Sequence, residues 1–346
     1  MPSYDFHDAH VHLTNYIQRG TDVHHFVDMM GTTIGRATLF GIPLQQPWAW
    51  GSIGDYAPTH YLQTAAPLYY YSFTDAFIAT AFRSLEPAHQ ARLDPMITGF
   101  NPADLYAAEQ IRRVLLTFPG VFSGIGELTL HKDFVSSVVA GRPVPPVNRA
   151  LDRIFEFAGE AGLVVILHND TDTSFPTQDH EPFAVVQLKE LFRRHPRTTI
   201  IWGHVGVGRI VRPLQDQVRL VERALSQIEL SRLYFDISGD DVAKYAVATP
   251  ENAARMADVI NRYPDRFLFG TGAVAPRNLE AINAVFHLYD PLWKLLTPEA
   301  SHKVRLGNYE RLFDQARRDV RRWEAAQSKD ARRVGAARSP EASIAT

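Results

Sequence analysis

Leu163-Val164-Val165-Ile166-Leu167-His168 is a run of apolar residues closed by an imidazole. A segment this short and this uniformly apolar suits a strand covered on both faces, as in a parallel sheet flanked by helices. Gly162, just before it, marks the end of a helix. Working outward, comparable runs recur at Tyr4 to Asp8, Arg36 to Gly41, Met96 to Phe100, Phe122 to Leu128, Thr198 to Gly203, Leu233 to Ile237 and Arg266 to Gly270. Helices are expected between them at Pro102 to Leu116, Val147 to Ala161, Glu181 to His195, Pro213 to Ile228 and Pro250 to Arg262. Asn101-Pro102 and Thr249-Pro250 each set a capping side chain before a proline at the first helical position. Strands alternating with helices in this way predict an α/β fold, a (β/α)8 TIM barrel, with an open doubly wound sheet as the competing architecture.

The 346 residues carry 36 basic and 38 acidic side chains, a formal net charge of −2, so no global field recruits nucleic acid or an anionic membrane. A small-molecule substrate is the expected partner. The chain has no cysteine, which excludes disulfides, iron–sulfur clusters and a thiol nucleophile and leaves imidazole and oxygen to hold any metal. No secretory leader or membrane span is legible at the N-terminus or elsewhere, so a cytoplasmic location is expected. Residues 1–324 are expected to form one barrel and 325–346 a loose, polar tail. Residues 42–72 form a connection far longer than usual and rich in aromatics, among them Trp48 and Trp50. Leaving a strand's C-terminal end, it could line a substrate pocket; local packing or a homo-oligomer interface is the competing explanation.

His10 and His12, in Asp8-Ala9-His10-Val11-His12, are two apart on the first strand and aim into one space. Glu127, His168 and His204 stand at other strand ends, which barrel closure gathers at one face. Histidine with carboxylate suits zinc, and also manganese, iron or nickel. His131 and Lys132, expected in a strand-to-helix loop, could hold a substrate carboxylate or oxyanion. Gly203-His204-Val205-Gly206-Val207-Gly208 does not have dinucleotide-binding spacing, and no Gly-X-Ser-X-Gly elbow is present.

On Asp8 to His12, Glu127, His168, Gly203 to Gly206 and the terminal Gly307-Asn308-Tyr309-Glu310-Arg311-Leu312-Phe313, the chain resembles the amidohydrolase superfamily, in its amidohydrolase-related branch of metal-dependent hydrolases and decarboxylases. The resemblance implies one or two divalent ions, with His10, His12, His168, His204 and Glu127 as ligands or metal-adjacent groups. It also exposes a departure. The pattern Phe-Gly-Thr-Asp after the eighth strand, whose aspartate acts as general base, here reads Phe269-Gly270-Thr271-Gly272. Gly272 can neither ligate through a side chain nor carry a proton. Either activity was lost, by design or naturally, or another carboxylate serves, with Asp236, Asp240 and Asp241 nearest in sequence. The expected function is a metal-dependent hydrolase of an amide, ester or lactone, with a non-oxidative decarboxylase of an aromatic or unsaturated acid, or a non-catalytic ligand-binding barrel, as alternatives.

Overall fold

Eight parallel strands join in chain order into one sheet: β1 (Phe6–Asp8), β2 (Ile34–Leu39), β3 (Leu93–Ile97), β4 (Gly124–His131), β5 (Val164–Asn169), β6 (Thr199–Trp202), β7 (Leu233–Asp236) and β8 (Phe267–Leu268). They come from a computed structural model that describes residues 4–49, 56–141, 144–171, 181–208 and 217–337. The two edges meet. Ala9 N–H donates to Phe269 O at 3.0 Å, and the short strands Val11–His12 and Ala273–Val274 pair in parallel. Asp8 seals the joint, its carboxylate accepting from Thr271 N–H at 2.8 Å and from Thr271 Oγ1 at 2.5 Å. The ring so closed is the expected (β/α)8 barrel.

Strand parity explains the core. In β5, Val164 and Ile166 face the barrel interior with Met96, Ile201 and Leu268, while Val165 and Leu167 face the helical layer. Every residue of the strand is therefore buried. Helices α1 (Val23–Met30), α2 (Thr74–Arg83), α3 (Ala107–Thr117), α4 (Arg149–Ala161), α5 (Phe183–Arg194), α6 (Gln217–Leu225), α7 (Gly239–Ala246), α8 (Pro250–Arg262) and α9 (Leu279–Leu288) occupy the connections. The closing helix α10 (Asn308–Ala337) plugs the N-terminal end of the barrel with Tyr309, Leu312, Phe313 and Ala316.

Several boundaries moved for local reasons. Thr249 caps α8 as expected, Oγ1 accepting from Asn252 N–H, and Gly162 ends α4 at φ +78°. Asn101-Pro102 does not start α3. Asn101 Oδ1 accepts from Ala103 N–H and Asp104 Oδ1 from Tyr106 N–H, so side chains hold this stretch in turns until Ala107. The Pro213 start expected for α6 lies outside the described residues. Helix α10 continues past Ala325, where the sequence reading begins its loose tail. The aromatic connection builds its own small core from Ile42, Leu44, Tyr61 and Leu68 with Tyr16 and Val135, and Leu44–Gln45 pairs antiparallel with Tyr69–Tyr70. Local packing thus accounts for part of its apolar content. Among the described residues no helix is long and apolar enough to cross a membrane.

Candidate metal centre

At the C-terminal face the expected residues converge. Glu127 occupies the middle, with Oε1 3.7 Å from His10 Nε2, 3.6 Å from His204 Nε2 and hydrogen-bonded to His168 Nδ1. Its Oε2 is 3.6 Å from His12 Nε2 and 3.4 Å from Lys132 Nζ. Glu127 therefore belongs to two overlapping groups of donor atoms, one with His10 and His12 and the other with His168 and His204. A further group joins His10, His204 and Asp236.

Three of the imidazoles have their outer nitrogen fixed. His10 Nδ1 donates to Asp236 Oδ2 at 3.1 Å, His12 Nδ1 to Gly41 O at 3.2 Å, and His204 Nδ1 to Ser238 O at 3.1 Å. Such outer partners select the tautomer that leaves Nε2 bare, as in metal-binding histidines. His10 Nε2 is buried and has no hydrogen-bond partner, a costly state for a polar atom unless it ligates. Burial holds His12 neutral, lowering its pKa to about 3. His168 differs. Its Nδ1 meets Glu127 and its Nε2 lies 2.8 Å from Asp170 Oδ1, so both nitrogens donate to carboxylates. Burial opposes charge there, but Glu127 and Asp170 overcome it and raise the pKa to about 9.

The carboxylates follow the same balance. Burial works against Glu127, yet Lys132 and His168 hold it well below the usual carboxylate range. Asp236 is fully buried and also resists charge on that account, but His10 and the hydrogen bonds it receives, among them His204 N–H at 2.7 Å, bring it to about 2. Behind His10, Asp8 accepts its backbone N–H at 3.1 Å, which steadies the first-strand segment. The turn that presents His204 is left-handed at His204 (φ 55°) and Val205 (φ 45°), a costly conformation for a β-branched residue. Gln217 and Thr171 clamp it: Gln217 Nε2 donates to Val205 O at 2.5 Å, and Thr171 N–H to Gly206 O at 2.8 Å.

Gly272 lines the cavity shared by His10, His12, His168 and His204. Its φ is +64°, and a Cβ added there would lie 3.2 Å from Gly239 Cα and 3.8 Å from His204 Cε1. Lys132, half-buried, lines this cavity as well, while β4 extends to His131, which makes that residue the end of a strand rather than part of a loop. Asp240 stands on the same wall with its carboxylate 2.6 Å from Lys244 Nζ. Trp48 is 48% exposed and does not line the cavity, and Trp50 lies outside the described residues. The sequence reading missed Asp170, although it follows His168 by two along the chain and so repeats its parity. The Asp236–His10 pairing had no sequence signal, because it exists only across the closed ring.

Solved structures similar to this chain include an uncharacterised TIM-barrel protein from Bordetella bronchiseptica, 17% identical, with TM-score 0.51 over 84% of this chain and 82% of that one. A Pseudomonas putida protein provisionally named a 2-pyrone-4,6-dicarboxylic acid hydrolase is 13% identical, with TM-score 0.54 over 90% and 98%. An amidohydrolase from Burkholderia multivorans with bound zinc is 12% identical, with TM-score 0.54 over 89% and 99%. Comparison with curated proteins gives no match. The family model described as Amidohydrolase matches residues 8–315. With that match spanning the barrel and all five converging side chains, the chain belongs to the amidohydrolase family.

Proposed function

We propose that this protein is a metal-dependent hydrolase of an amide, ester or lactone bond in a small molecule. The observation that carries the reading is Glu127 shared between two groups of imidazole donors, one of which includes the orphaned His10 Nε2. His10, His12, His204, Glu127 and, on giving up a proton, His168 would hold one or two divalent ions. This donor set suits zinc, with manganese, iron and nickel as alternatives. Such an ion polarises a carbonyl and lowers the pKa of water from about 15.7 toward 7.

The chain's own residues do the rest. Asp236, Gly41 and Ser238 orient the imidazoles, and Lys132 offers a cation to a substrate oxyanion. With glycine at 272, Asp170 is the buried carboxylate lining the cavity outside the donor groups. It takes the proton that the family aspartate would take once His168 has released the one it donates to Asp170; Asp240 is the weaker substitute because it stands more open to solvent and Lys244 holds it. Turnover is therefore slow in this chain.

A second reading is favoured by one observation: His168 is held as an imidazolium while the water-activating carboxylate is missing. That pair suits non-oxidative decarboxylation, in which the bond to a carboxylate breaks, its electrons stay on the substrate carbon and a nearby acid protonates that carbon.

The deciding experiment assays metal-loaded protein against a panel of amides, esters, lactones and unsaturated or aromatic acids, recording carbon dioxide and hydrolysis products separately. Water-derived oxygen in the product supports the hydrolase; carbon dioxide without it moves the assignment to the decarboxylase. Bound metal with every substrate intact, in this chain and in Gly272→Asp alike, leaves a ligand-binding barrel.

A further inference from the structure

Far from the histidines, at the N-terminal ends of β5, β6 and β7, an open cavity of about 690 Å³ separates the strands from α10. Val164, Thr199 and Tyr234 mark it as the opposite mouth of the barrel. Its walls carry Arg197, Arg232, Arg311 and Arg318.

Among the described residues none of these guanidinium groups forms an ion pair with a carboxylate. Among the described residues the Arg197 side chain has no hydrogen-bond partner, that of Arg232 reaches only Thr199 Oγ1 at 3.3 Å, and that of Arg318 only Gln315 Oε1 at 3.0 Å. Arg311 donates to Asp265 O at 2.8 Å and Asn308 Oδ1 at 3.1 Å and lies over the Tyr234 ring. Two acidic side chains also line the cavity, but other arginines already neutralise them: Asp314 is 2.5 Å from Arg36, and Asp319 is 3.0 Å from Arg322.

What sets this cavity apart is the gathering of four arginines without a carboxylate partner around one concavity, on a chain whose net charge is −2. Like charges around one concavity repel, and a multiply charged oxyanion relieves them with the bidentate geometry that guanidinium favours. The volume falls in the range typical of small-molecule sites, roughly 300 to 1,000 Å³.

We propose that this cavity is a second ligand site, separate from the metal centre, which binds a small polyanion through the four arginines. Bound there, the ligand bridges α10 to the strands it plugs, so occupancy stabilises the barrel without touching the histidines.

The test is calorimetric titration of the full, metal-loaded protein with sodium pyrophosphate and, separately, with citrate, at ionic strength matched with sodium chloride. Both probes can also chelate at the metal centre. The same titrations are therefore run on Arg197→Gln/Arg232→Gln, in which every histidine is intact, and on Arg318→Gln, which alters another wall. The expected result is saturable one-to-one binding, about tenfold weaker in the double variant, as the loss of charge-assisted contacts implies. A rise in Tm with ligand should shrink in parallel. Preference for pyrophosphate identifies a phosphate-bearing ligand, and preference for citrate a polycarboxylate. Absence of saturable binding with either probe, or equal affinity in all three proteins, overturns the proposal.

Discussion

Glu127 and Asp94 are both buried carboxylates ringed by nitrogen donors, one at each mouth of the barrel, yet they are finished differently. Asp94 receives Arg36 through its Nε and Nη2, Arg317 Nε at 2.6 Å and Tyr309 Oη at 2.9 Å, all within hydrogen-bond distance. Its partners are permanent charges or phenols and its bonds are complete. Around Glu127, three imidazole Nε2 atoms stand at 3.6 to 3.7 Å, and one of them is buried with no partner at all. Imidazole nitrogens at that spacing suit a cation shared among them, whereas guanidinium forks on a carboxylate suit a permanent brace. The lower site holds α10 to the strands; the upper one leaves its imidazole Nε2 atoms beyond hydrogen-bond distance of the carboxylate.

Substitutions at the two sites should separate these roles. The largest effect is expected from Glu127→Gln: bound metal, measured by elemental analysis, falls to trace and activity drops by roughly 10⁴-fold. Near-normal metal content would break the contrast. Asp94→Asn should leave metal content unchanged but lower stability to denaturant by about 3 to 5 kcal/mol, because Arg36 and Arg317 lose a buried counter-charge. Gly272→Asp should raise the rate about a hundredfold, the low end for a general base, since the new Cβ must displace Gly239 slightly. Aspartate tolerates a positive φ better than most residues, so the fold survives. No gain with metal bound would reject the reading of this chain as a hydrolase slowed by loss of the family aspartate.

The smallest effect concerns acid. Asp236 has a folded pKa of about 2, below the ordinary 3.8. Its contribution, about 2 kcal/mol, is present above pH 4 and lost as pH falls through 2. The stability gap between the native chain and Asp236→Asn should therefore narrow over that interval in denaturant titrations. A constant gap would mean that Asp236 acts through packing alone.

Much of the barrel was legible because burial on both faces leaves an unmistakable apolar run, as in Leu163 to Leu167, and because parity then carries His168 inward. The histidines could be gathered on paper because every strand of such a ring ends at the same face. What escaped was whatever depends on three-dimensional closure or on local side-chain competition. The bond from His10 to Asp236 spans 226 positions. The delayed start of α3 came from Asn101 and Asp104 bonding nearby backbone N–H groups. The tryptophans suggested a substrate wall, but of the pair only Trp48 is described, and it stands apart from the cavity.

Asp8 fastens the first strand to Thr271 while the imidazole two positions later faces Glu127. Two residues 263 positions apart thus close the ring directly beside the first-strand histidines, so the placing of those side chains depends on the far end of the barrel.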